Sequence, residues 1–117
     1  MAATGAKFRP GATDNLSLSA ATTGTGTVIP MGDCREVSWF VTYSGTTSGG
    51  TVLIEWANTA DYAGVWNQLD SITAANLSAG TEGAGFWPGP VPFIRARVSS
   101  DITGGGTISA IINGLLG

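Results

Sequence analysis

The sequence predicts a single-domain antiparallel β-sandwich of the jelly-roll kind, with an extended N-terminal arm. Three observations lead there. Several runs alternate apolar and polar side chains, the period-two signature of strands with one buried face. Gly, Ser, Thr and Pro interrupt these runs at short intervals, as turns do in sandwiches and barrels. At 117 residues the chain has room for one core and not two. The immunoglobulin layout is disfavoured because it sets two cysteines around a core Trp, whereas Cys34 is the single cysteine here.

Residues 1–15 carry no periodic pattern, and Pro10-Gly11 marks a turn, so this stretch reads as an arm and residues 16–117 as the sandwich. Short strands are expected at 16–18 and 27–29, on either side of a Thr/Gly tract. The first long strand, 36–43, points Val37, Trp39, Val41 and Tyr43 one way and Glu36, Ser38, Phe40 and Thr42 the other. After the loop SGTTSGG (44–50), residues 51–57 form the next strand, with Val52, Ile54 and Trp56 inward; the two strands read as a hairpin. A shorter strand is expected at 65–69, and 71–79 reads as either one helical turn or a further strand. The segment GTEGAGFWPGPVP (80–92) reads as a Gly/Pro-rich loop. Residues 91–99 turn Ile94, Ala96 and Val98 inward, and after DITGGG (101–106) residues 107–113 do the same with Ile108, Ala110 and Ile112. These also read as a hairpin.

Composition narrows the function. Charged residues are 11% of the chain, against roughly 25% in typical soluble domains. The surface must therefore be largely Thr, Ser, Gly and Ala. Lys7, Arg9 and Arg35 balance Asp14, Asp33 and Glu36 in residues 1–50, so the net charge of −3 arises in residues 51–117. No basic face is available for phosphates, which argues against nucleic acid. Apolar runs such as 39–41 and 52–54 are far too short to cross a membrane, and no secretory signal opens the chain. A lone Cys34 fits production in a reducing cytoplasm.

The chain has no histidine, which removes the Ser-His-Asp triad and the HExxH zinc site. A carboxylate pair such as Glu55 with Asp61 or Asp70 is the remaining hydrolytic arrangement, and eight scattered acids make such a pair easy to find by chance. No catalytic residue, cofactor or metal is therefore assigned. Binding residues are easier to nominate. Phe40, Leu53, Phe93 and Ile111 fall on the outer faces of the four strongest strands, where either loops or a partner subunit must cover them. Arg95 and Arg97 share a face, where they either pair with Glu55 or another carboxylate across the sheet or grip an acidic partner or a sugar. Phe86 and Trp87 form either a lid or a contact surface. Asn58, Asp61, Tyr62 and Trp66 gather aromatic and polar groups around one turn, as a sugar site requires, although Trp66 also suits the core.

The stretches VLIEWANTADYAGVWNQLDSI (52–72), PVPFIRARVSS (90–100) and GGGTISAIING (104–114) resemble small β-sandwich structural proteins of tailed-bacteriophage virions. In that pattern a strand leads into a cluster of the type S-x-D-G-x-x-W, followed by an aromatic-V/I-R-A/V strand and a Gly-rich hairpin. Asn58, Asp61, Gly64 and Trp66 stand for the first cluster and Phe93-Ile94-Arg95-Ala96 for the second. The match covers the C-terminal half, and Tyr62-Ala63 separate the Asp from the Gly. The resemblance implies a capsid decoration (cement) protein located in the virion and assembled in the host cytoplasm. Its partners would be the major capsid protein and further copies of itself, a trimer being one arrangement. On that reading Lys7, Phe8, Arg9 and Pro10 would dock the arm on the shell or on a neighbour. The same resemblance allows, as an alternative, a head-fibre or tail component that recognises host glycans, and the related layout of discoidin-type domains a carbohydrate-binding module.

Overall fold

The computed structural model describes residues 7–8, 16–80 and 83–116, and these form two antiparallel sheets packed face to face. The strands are β1 (Lys7–Phe8), β2 (Leu16–Ala21), β3 (Gly24–Thr25), β4 (Ile29–Pro30), β5 (Cys34–Ser44), β6 (Gly49–Ala57), β7 (Asn67–Thr73), β8 (Gly83–Trp87), β9 (Phe93–Thr103) and β10 (Thr107–Leu116). One helical turn, α1 (Ala74–Ser78), follows β7. Sheet A runs β2-β10-β5-β8, with β1 beside the end of β10. Sheet B runs β4-β9-β6-β7, with β3 also on β9. Taking β3 and β4 as one broken strand, this is the order of an eight-stranded jelly roll.

The inward residues are those the alternation picks out. Val37, Trp39, Val41, Val52, Ile54, Ile94, Ala96, Val98, Ile108, Ala110 and Ile112 are all buried in one core. Burying each Val or Ile contributes about 1.5–3 kcal/mol, so the two inner faces supply most of the driving force. Polar ties then close the sandwich at both sides. Ser17 donates to the Thr27 carbonyl and accepts from the Ala96 N–H at 2.9 Å, stitching β2 to β9. At the far side the Trp39 indole N–H reaches across from β5 to the Asp70 carboxylate of β7, at 2.7 Å.

Three expectations are corrected. Neither expected hairpin forms: β5 and β6 lie in different sheets, as do β9 and β10. Among the described strands that follow one another across a loop from β4 onwards, only β6 and β7 pair. Alternation tells a strand which side to bury, and an arch between two sheets satisfies it as well as a hairpin within one. Here the arches brace each other, with Gly106 N–H donating to the Thr46 carbonyl at 2.7 Å and Ser48 N–H to that of Thr103 at 2.8 Å. Buried Thr47 pins the same corner to α1 through the Ala74 carbonyl and Ser78 Oγ.

The second correction concerns 80–92, which contains strand β8 rather than loop throughout. Its glycines are spacers and not breakers: a Cβ on Gly85 would lie 2.7 Å from Trp39 Nε1, and one on Gly83 2.6 Å from the Val41 carbonyl oxygen. The third concerns Tyr43, expected inside but exposed, because β5 continues past Val41–Gly83, where its pairing with β8 begins.

Candidate interaction surfaces

On sheet A, Ile111 stands opposite Phe40 in the β10–β5 ladder. Leu16 pairs with Ile111 on one side, and Ala84 pairs with Phe40 on the other. Four adjacent strands thus place Leu16, Ile111, Phe40 and Ala84 in one row across the outer face. Phe86 lies two residues along β8 from Ala84, opposite Ser38. Beyond Leu115, the rest of this face on β5 and β10 is Ser, Thr and Asn, with Glu36 at one end as its charged member. Phe40 is 49% exposed and Phe86 65%, so the row is open to contact. An aromatic facing a β-branched residue across a strand pair makes a cohesive apolar unit.

Beside this row, where β8 stops and β5 runs on, lies a groove of about 410 Å³ lined by Phe40, Thr42, Tyr43, Leu77 and Gly80 among others. Tyr43, opposite buried Ile108 and so of inner parity, is exposed at this groove. Alternation concealed it, since strand parity carries no information about where a neighbouring strand ends. Trp87 sits at the rim of sheet A, 45% exposed, and does not seal the sandwich as a lid would.

The four outer apolar residues do not form the single patch their sequence positions suggest. Leu53 and Phe93 lie on sheet B, where Leu53 faces Arg97 and Phe93 faces Ala57, and both are half-buried. The same arches that replace the hairpins put the two pairs on opposite sides of the molecule.

Sheet B has a different outer face. Glu55 is 2% exposed and lies between two guanidinium groups. Arg95 Nε and Arg97 Nε each donate to Glu55 Oε1 at 2.9 Å, and Arg95 Nη2 lies 2.9 Å from the same oxygen. The expected Glu55–Arg95–Arg97 pairing is present, and a loop roofs it. Trp66 is buried, yet it packs on the Arg95 guanidinium, 4.0 Å from ring centroid to Cζ, and is not part of the core cluster between the sheets. Its indole N–H donates to the Tyr62 carbonyl at 2.9 Å, which holds the 58–66 loop over the ion pairs. Trp66, expected in the core or on a glycan platform, is buried, over Arg95 on the outer side of sheet B.

The same loop leaves Tyr62 half-exposed and Val65 89% exposed. Ala57, Asn58, Tyr62, Val65 and Asn67 line a recess of about 170 Å³; Asp61 is exposed nearby and is not in its lining. Of the arm residues, Lys7 and Phe8 pair along the backbone with Leu116 and Leu115 of their own sheet. Arg9 and Pro10 lie outside the described residues. Of the three acids considered for hydrolysis, Glu55 is engaged by two arginines and Asp70 by Trp39 and by the Ser71 N–H, while Asp61 is exposed. The Cys34 thiol is buried against Met31 Sδ and Asp33 Oδ1.

The fold and its faces define an antiparallel jelly roll with an uncharged apolar row across one sheet face and a covered ion-pair cluster on the other. No protein-family model matches the chain, and no curated protein matches it.

Proposed function

We propose that the chain is a structural protein of a bacteriophage virion, a capsid decoration protein that reinforces the shell by laying the outer face of sheet A on the major capsid protein. The observation that carries this reading is the uncharged row Leu16–Ile111–Phe40–Ala84, extended by Phe86. Exposed apolar residues aligned across four strands, rather than scattered, mark a contact surface. The viral context comes from the resemblance of the C-terminal half. Phe40→Asp tests the reading, because it sets a charge at the centre of the row while leaving the inner face untouched. Co-sedimentation with capsids of the same virus is expected to fall at least about tenfold, as for loss of a central contact worth roughly 1.4 kcal/mol or more. Undiminished binding by the folded variant would contradict it.

A second reading rests on the recess at Asn58, Tyr62 and Asn67, which combines an aromatic face with two carboxamides, the groups that stack on and hydrogen-bond to sugars. It predicts binding on a glycan array that Tyr62→Ala abolishes. An array without signal from the intact protein removes this reading.

A further inference from the structure

Sheet A ends at β8, whose second edge carries no strand among the described residues. Natural edge strands are normally blunted by charge, proline or a bulge, because an open ladder recruits any extended chain. The β8 sequence Gly-Ala-Gly-Phe-Trp has no charge and no proline, and its pairing with β5 runs without a register shift. Its residue sizes have a definite order. Laid antiparallel on a second copy with Gly85 opposite Gly85, each Phe86 falls opposite the other copy's Ala84, and each Trp87 opposite the other copy's Gly83. Every large side chain meets a small one. A parallel pairing sets Phe86 on Phe86 and Trp87 on Trp87 instead. Packing against Leu77 and Trp39 explains why positions 83 and 85 are glycine. It does not explain Ala84, which is exposed and borders a recess of about 230 Å³ beside β7 and α1, so the described residues leave space for a larger side chain there.

We infer that β8 is a self-pairing edge, through which two copies join their A sheets about a twofold axis at Gly85. A twofold contact is isologous, so one self-complementary strand suffices and the assembly closes at two. The union also brings the two apolar rows together: Leu16, Ile111, Phe40 and Ala84 of one copy continue into Phe86 of the other. This goes beyond the capsid reading and does not depend on it. Pairing five residues buries less than the roughly 1,000 Å² of a typical stable interface. The dimer is therefore weak and reversible.

Sedimentation equilibrium from micromolar to millimolar protein tests the inference. The unmodified chain is expected to pass from monomer to dimer and no further. Ala84→Lys/Phe86→Lys places like charges opposite each other at both crossings and is expected to raise the dissociation constant at least about tenfold. Ala84→Glu/Phe86→Lys places opposite charges there and is expected to return dimerisation to within about threefold of the unmodified chain. Both positions are exposed, and circular dichroism checks that each variant is folded. A monomer across the whole range, or a trimer, would overturn the inference. So would undiminished dimerisation of the double-lysine variant, or failure of the Glu/Lys variant to recover, which would contradict the antiparallel register. Capsid binding is read separately through Phe40, so the two proposals fail independently.

Discussion

Replacing Glu55 by alanine is expected to destabilise the protein by about 3 kcal/mol, the lower end for breaking a buried ion pair, because water still reaches Arg97. The loss has two parts. One is the pair of 2.9 Å hydrogen bonds from Arg95 and Arg97. The larger is the desolvation of a guanidinium left without its carboxylate beneath the Trp66 roof. In urea the midpoint should fall with little change in slope, since the surface exposed on unfolding is nearly the same. Changing Glu55, Arg95 and Arg97 together to leucine should recover most of the loss, because removing all the charges leaves no buried orphan. If Glu55→Ala alone cost less than about 0.5 kcal/mol, the cluster would be behaving as a surface salt bridge, and the roofing role of Trp66 would be wrong.

Gly50→Ala is expected to cost about as much, for a backbone reason. Gly50 has a φ of +109°, at a register irregularity where β6 meets β9. A Cβ there would lie 2.6 Å from the Asp101 carbonyl oxygen and 2.8 Å from Ile102 Cα, and neither backbone atom can swing away. Conformational strain and overpacking each contribute about 1–3 kcal/mol, giving roughly 3 kcal/mol together and a fall in melting temperature of about 10 °C. Gly105→Ala separates the two contributions. Gly105 also has a positive φ, +92°, but nothing lies within 4 Å of the added Cβ. It should therefore lose only the strain, about 1 kcal/mol. Equal losses at both sites would rule out the steric share assigned to Gly50.

These sites mark what was legible in the chain. The buried faces of β5, β6, β9 and β10 follow from period-two alternation, because burial acts on each strand separately. Parity likewise puts Glu55, Arg95 and Arg97 on outer faces, where opposite charge makes them candidate partners. Partner choice was not legible. It depends on corners such as Thr46–Gly106 and Ser48–Thr103, contacts between loops far apart in sequence. Strand β8 was hidden because its glycines make room for Trp39 and Leu77, a tertiary demand that looks locally like a loop. Trp66 was hidden for a related reason. Its burial follows from size, but its place over Arg95 is set by the path of the 58–66 loop, which has no periodicity to read.

On the proposed function, sheet A, through Phe40 and its row, is the surface this protein lays on a capsid. Imaging capsids of the same virus mixed with the purified protein, at a resolution that distinguishes the two sheets, tests it most directly. The account predicts density with Leu16, Ile111, Phe40 and Phe86 against the capsid subunits and the Arg95–Trp66 side facing solvent. Bound protein with sheet A turned outward, or capsids left bare at saturating protein, would contradict it.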